Sequence, residues 1–157
     1  MVVRPPPRRK GRRKGRRSPG PPRFRNPTGM LTLPAAALDA LLAHARRESP
    51  RECCGLLGGR DGVVTHCLPV ANELASPTAF RTEPRSMLAA DRALRAAGVE
   101  LLAVYHSHPT SPAVPSATDL RENPHGEAIL CVIAGTDGVR AWRLGPADAA
   151  EVPIRVT

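Results

Sequence analysis

His106-Ser107-His108-Pro109, followed by Ser116 and Asp119, places two imidazoles, a hydroxyl and a carboxylate within fourteen residues. In an extended segment, side chains at i and i+2 point to the same side. A strand ending in His-x-His therefore delivers two ring nitrogens to one point. The residues before it, Leu101-Leu102-Ala103-Val104-Tyr105, are apolar and suit a buried strand. Pro109 cannot continue a central strand, so the chain must leave the sheet there. Ser116-Ala117-Thr118-Asp119 reads as a helix start with Asp119 in the first turn, and a Ser with an acid three residues later also resembles a capping box. Two His and one Asp form a ligand set that zinc accepts. Three protein ligands leave a fourth position for water, the arrangement of a catalytic rather than a structural site. His-x-His alone and Ser-x-x-Asp alone are each common without metal. Their conjunction directly after an apolar strand carries the signal.

The remaining pattern predicts the elements that must hold these groups. Ala35 to Arg47, with Leu38, Leu41, Leu42 and Ala45, reads as an amphipathic helix opened by Pro34 and stopped by Pro50. Cys53 to Leu57 reads as a short buried strand ended by Gly58-Gly59. Asp61-Gly62 signals a hairpin into Val63 to Val70, and Ala79 to Thr82 reads as a further short strand. Pro84-Arg85-Ser86 opens a second helix through Ala97, closed by Gly98. The strand 101–107 carries the His pair. The helix from Ser116 must be short, because Asn123-Pro124 ends it. Ala128 to Ala134 is strand-like, Asp137-Gly138 turns the chain into Val139 to Leu144, and Val152 to Val156 reads as a last edge strand. A leading helix followed by βββ-α-β-α-ββ predicts an α/β or α+β sandwich.

The run from His106 to Asp119 resembles the JAMM signature, His-x-His-Pro-x6-Ser-x-x-Asp, of the MPN (JAB) metallopeptidase family, and its spacing matches without a gap. That family also has an upstream Glu in a Glu-x-Cys-Gly-Leu-Leu context, which Glu52-Cys53-Cys54-Gly55-Leu56-Leu57 supplies here. Asn72, Phe80-Arg81 and Ala141-Trp142-Arg143 are weaker matches. The resemblance extends over about residues 30 to 157. It implies an MPN/JAB domain: a curved mixed β-sheet flanked by helices on both sides, similar to cytidine deaminases. It also implies one zinc ion held by His106, His108 and Asp119, with Glu52 moving the proton of the attacking water and Ser116 hydrogen-bonding the developing oxyanion. Without the resemblance, Glu52 would read as a solvated carboxylate after Pro50-Arg51. None of the five positions is altered, which argues against the metal-free scaffold members of the family. Ser107 points away from the two His and reads as structural. His44, His66 and His125 read as surface or core residues, and Trp142 as core.

The substrate follows only from the resemblance. Compact stand-alone prokaryotic relatives act on ubiquitin-like sulfur-carrier proteins, cutting after the C-terminal diglycine, and some release a cysteine formed on the carrier. Pro109 to Ser116 and residues 71–85 are the only long loops, with no insertion suited to gripping a ubiquitin chain. The expected substrate is therefore a ubiquitin-like sulfur-carrier protein. The sequence leaves the oligomeric state open, a homodimer included.

Charge is unevenly distributed. Residues 1–29 hold eleven of the 23 Arg and Lys, seven Pro and no acid, whereas the rest holds twelve Arg against fourteen Asp and Glu. The division falls between a basic extension, 1–29, that cannot bury a core and is expected to be disordered, and a slightly acidic domain, 30–157. Met30 is the expected true start, since GC-rich DNA read through in frame would yield the Arg-, Pro- and Gly-rich stretch before it. A native N-terminal peptide containing Arg16 or Arg17 would refute that. The alternative function is nucleic-acid association through this arm with a structural or vestigial zinc site. Under that alternative, deleting 1–29 abolishes salt-dependent nucleic-acid binding; under the peptidase reading it leaves hydrolysis untouched. No apolar run approaches the ~20 residues of a membrane span. The four Cys lack Cys-x-x-Cys spacing and read as thiols of a cytoplasmic protein, mostly buried in strands, with a redox effect of Cys54 on activity, through its nearness to Glu52, as a minor reading.

Overall fold

The computed structural model describes residues 29–157. Expectations about the basic extension lie outside the described residues, apart from Gly29. Twelve elements follow in chain order: β1 (Leu31–Leu33), α1 (Ala35–Glu48), β2 (Cys54–Arg60), β3 (Val63–Val70), α2 (Pro84–Ala96), β4 (Glu100–Ser107), α3 (Ala117–Arg121), a 3-10 turn (Gly126–Ala128), β5 (Leu130–Gly135), β6 (Gly138–Leu144), β7 (Ala149–Val152) and β8 (Ile154–Val156). The strands form one mixed sheet in the order β7-β6-β5-β4-β2-β3-β1-β8.

Four elements differ from the sequence expectation. β2 does not end at Gly58-Gly59 but runs through both glycines to Arg60, because β3 and β4 pair with them across a register shift. Ala79 to Thr82 makes only an isolated bridge, Asn72 to Thr82. Val152 to Val156 is not one edge strand. Pro153 divides it, and the halves lie at opposite ends of the sheet, β7 beside β6 and β8 beside β1. Because β7 and β8 are separated by one residue, the sheet must curl until its edges nearly meet. The Leu31 N–H donating to the Pro153 carbonyl at 2.9 Å fastens that seam. β1 itself went unread, being three residues long and visible only through its pairing with β3 and β8.

Strand alternation sorts side chains between two layers. Leu57, Ala103 and Tyr105 face α1, where Leu41 packs on them within one core. Cys54 and Leu56 share the other core with Ala90 and Leu94 of α2, and Val104 packs against it. His106 belongs to the α2 side by the same alternation. Gly55 lies where any Cβ would collide with the Tyr105 ring, so only glycine lets that ring cross β2. The Tyr105 hydroxyl meets Nδ1 of His44 at 2.8 Å, which makes His44 a core residue. The hairpin read at Asp61-Gly62 is present, with positive φ at both residues as a type I′ turn requires. No helix among the described residues is long and apolar enough to cross a membrane.

Candidate metal centre

β4 lies inside the sheet, between β2 and β5, so its C-terminal end is hemmed in on both sides. Cys54 is the register partner of His106 across the antiparallel β2–β4 pair. The pairing continues one step past the strand end: the Cys53 N–H donates to Ser107 Oγ at 2.8 Å, and the Ser107 N–H to the Cys53 carbonyl at 3.1 Å. Counting on in the same register puts Glu52 opposite His108. This is how a carboxylate fifty-four residues upstream of His106 reaches the His pair. Ser107 is thereby structural, as its alternation predicted.

Glu52 is 4% exposed. Its N–H donates to the Ser76 carbonyl at 2.9 Å, and its carbonyl accepts from Asn72 Nδ2 at 3.0 Å. Asn72 Oδ1 in turn accepts the N–H groups of Leu74 and Arg81, both at 2.9 Å. One amide therefore ties the loop 71–83 to the backbone of Glu52. Burial pushes the Glu52 carboxyl up to about 7; the neighbouring His108 opposes this and Asp119 adds to it.

The imidazoles and Asp119 converge. His106 Nε2 and His108 Nε2 are 3.1 Å apart. His106 Nε2 lies 3.3 Å from Asp119 Oδ1, and His108 Nε2 lies 3.4 Å from Asp119 Oδ2. One ligand atom from each of the three residues lies within 4.8 Å of the others. Asp119 is aimed by its own helix start. Ser116 caps α3, accepting the Asp119 N–H on Oγ at 3.1 Å, while the Ser116 N–H donates to Asp119 Oδ2 at 2.7 Å. The sequence offered two roles for Ser116; the cap is the one this geometry displays.

A residue type search could not have found the next partner, because it is a backbone atom. His108 Nδ1 lies 3.0 Å from the Pro112 carbonyl. A carbonyl only accepts, so Nδ1 carries a proton, and Nε2 is the ring atom left to face a cation. The loop bearing Pro112 is braced from three sides. The Ala113 N–H donates to Asp137 Oδ1 at 2.7 Å, the Ala113 carbonyl accepts from Trp142 Nε1 at 2.9 Å, and the Thr136 N–H donates to the Ser111 carbonyl at 2.9 Å. Gly135 lies against this loop, where any Cβ would strike the Pro112–Ala113 backbone. We predict that Gly135→Ala displaces the Pro112 carbonyl and lowers metal affinity at least about tenfold, the usual effect of losing a His-orienting partner. Metal titration of the folded variant would check this, and an unchanged affinity would refute it.

The donor set fits a divalent cation. Burial pushes His106 below its ordinary value, outweighing the Asp119 hydrogen bond, so it is neutral at pH 7. Burial disfavours the Asp119 anion, but hydrogen bonds from His106 and His108 outweigh it and hold the carboxyl well below its usual range. An ionised carboxylate and two imidazoles directed at one point is an N,N,O set of the kind zinc takes. Burial lowers His108, yet the Asp119 and Pro112 contacts more than offset this and leave it raised. Cys54, by contrast, is pushed up to about 12, first by burial and then by Cys53 and Glu52, which disfavours its thiolate.

Residues 34–145 match the sequence model of the prokaryotic homologs of the JAB domain. The chain belongs to that family. A Thermus thermophilus protein named a probable TtuB-protein conjugate cleaving protease is 43% identical over 116 residues, covering 73% of this chain and 76% of its own. The CysO-cysteine peptidase of Mycobacterium tuberculosis is 31% identical over 133 residues, covering 81% and 91%. The solution structure of a Desulfitobacterium hafniense protein superposes with a TM-score of 0.75 at 33% identity, over 82% of this chain and 93% of that one. The curved sheet with helices on both faces is thus the JAB-domain fold. Phe80, which the sequence offered only as a weak match, stacks on His106 with ring centroids 4.7 Å apart and planes at 26°. His125 and Cys131, neither assigned a role by sequence, line a cavity beside His106.

Proposed function

We propose that this JAB-domain protein is a zinc peptidase that hydrolyses the bond after the C-terminal glycine of a ubiquitin-like sulfur-carrier protein, releasing an amine such as cysteine. The convergence of His106, His108 and Asp119, with buried Glu52 in register opposite His108, carries the reading. The names of the Thermus and Mycobacterium relatives support the substrate class.

His106 Nε2, His108 Nε2 and one Asp119 oxygen would hold the zinc. When bound, zinc supplies Lewis-acid chemistry, polarising a carbonyl and acidifying water. The chain's own groups do the rest. Glu52 takes the proton of the attacking water on its carboxylate and returns it to the leaving amine. A carboxyl raised toward neutrality suits both halves of that task. Ser116 Oγ spends a lone pair on the Asp119 N–H, so its hydroxyl proton remains available to the oxyanion. The Pro112 carbonyl and the capping box hold His108 and Asp119 in place before substrate arrives.

Incubating the zinc-loaded protein with a carrier–cysteine conjugate and weighing the products tests the reading. The expected product is carrier ending in glycine, with cysteine released. If every carrier conjugate emerges intact from fully loaded protein, the substrate assignment is wrong.

Ser116 can be separated from its cap. Ser116→Ala should cost about 1 kcal/mol of stability, whereas Ser116→Gly, a tolerable cap, should cost only a few tenths. Both should slow hydrolysis by about a hundredfold or more if the hydroxyl serves the oxyanion. A fully active Ser116→Gly variant would leave Ser116 as a cap alone.

A further inference from the structure

Each imidazole that faces the metal point has a second nitrogen, and the group that meets this nitrogen fixes the ring. For His108 that group is the Pro112 carbonyl, which only accepts. His106 is held by a different chemistry. Its ring is 1% exposed, so bulk water does not reach it. Phe80 is stacked against its face, and Asp119 and His108 occupy its Nε2 edge. Nδ1 faces the neighbouring strand. Among the described residues it meets one partner there, the Cys131 thiol, with Sγ 3.7 Å away.

Sheet register puts that sulfur in place. β4 and β5 run parallel, with Val104 beside Cys131 and His106 beside Ile133. Cys131 therefore shares the sheet face of His106, one pleat behind it. A thiol differs from a carbonyl because it both donates and accepts, weakly in each case. When His106 Nε2 faces Asp119 Oδ1, at 3.3 Å, the carboxylate accepts and Nε2 carries the proton of the neutral ring. The bare Nδ1 then accepts the S–H of Cys131. A neutral ring whose Nε2 holds a cation needs the other tautomer, with its proton on Nδ1. Sγ then becomes the acceptor.

We propose that Cys131 is the positioning residue of His106. Its thiol satisfies Nδ1 in either tautomer, so the ring passes from hydrogen-bonding Asp119 to holding a cation without turning. The ring carries one proton before and after: one leaves Nε2 for solvent and one arrives at Nδ1. Rotation about the Cβ–Sγ bond turns the S–H toward the adjoining cavity, which Cys131 also lines. His108 lacks this freedom, because a carbonyl serves only a protonated Nδ1. The inference rests on the proposed zinc reading for what occupies Nε2, and on the Cys131 contact for the rest.

Serine and valine at this position separate the role from packing. Serine keeps a group that donates and accepts. Valine keeps an apolar, strand-favouring side chain, and the cavity beside it has room for the added carbon. Were Cys131 core alone, valine would match wild type and serine would be the worse replacement. The positioning role reverses that order. In zinc titrations against a competing chelator, Cys131→Val should bind at least about tenfold more weakly than wild type, the usual loss when a ligating His loses its partner. Cys131→Ser should stay close to wild type. Nitrogen NMR of the metal-free protein reads the contact itself. The His106 Nδ1 resonance should move downfield in Cys131→Val, because an acceptor nitrogen that loses its donor is deshielded, and should not do so in Cys131→Ser. Undiminished affinity in Cys131→Val, equal losses in both variants, or an unmoved Nδ1 resonance would overturn the positioning role. A displaced Nδ1 resonance in Cys131→Val, with no zinc bound even by wild type, would uphold the Cys131 contact and refute the zinc reading instead.

Discussion

Glu52→Gln is expected to fold, to bind zinc with undiminished stoichiometry and to lose hydrolysis by about 10²- to 10⁴-fold, the range for removing a positioned general base. The substitution preserves shape, and the backbone ties of Glu52 to Ser76 and Asn72 do not involve its carboxyl. What is lost is the capacity to take a proton. The same variant reads out the environment of the carboxyl in metal-free protein. Burial raises the folded-state value from 4.5 to about 7. A raised folded value favours the protonated fold, so this contribution is fully present below about 4.5 and is lost as pH rises through about 7. Glutamine never ionises. The melting temperature of Glu52→Gln relative to wild type should therefore climb between those pH values. A flat difference would mean that Glu52 titrates as an exposed side chain, and full activity of the variant would remove Glu52 from the mechanism.

His108→Ala is expected to abolish both metal binding and hydrolysis. It removes one of three donors and also the imidazole whose Nδ1–H is tied to the Pro112 carbonyl. Wild type held at a thousandfold excess of metal over Kd gains about 4 kcal/mol of stability from binding. That gain should vanish in the variant, so its melting temperature should no longer respond to added zinc. Asp119→Asn is a gentler companion. Its side-chain oxygen can still accept the Ser116 N–H, so α3 should stay capped while metal affinity falls. Metal analysis after dialysis decides the matter: stoichiometric zinc in His108→Ala would place the metal elsewhere.

Much of this was readable before any fold was known, and the exceptions share a cause. The His pair, the Ser116–Asp119 capping box, the Asp61-Gly62 turn and the starts of α1 and α2 depend on residues within four positions of one another. Periodicity and cap chemistry act over that span. β1 has no sequence signal because three residues carry too little period, and only β3 and β8 on its flanks make it a strand. The tail reads as one strand in sequence but forms two, because alternation does not encode which sheet edge each half joins.

The sequence by itself determined which side chains could bind a cation, and that two imidazoles and a carboxylate would issue from one strand end and the helix after it, since short spacing and local hydrogen bonds dictate those directions. Only the tertiary structure decided that Glu52 faces His108, through the pairing of Cys54 with His106, and that the Pro112 carbonyl selects the tautomer of His108. Only it opened a cavity beside His106 and Asp119. Those features depend on strand register, on a backbone oxygen and on the space left between packed elements, and each is set by contacts between residues far apart in the chain, which no local pattern encodes.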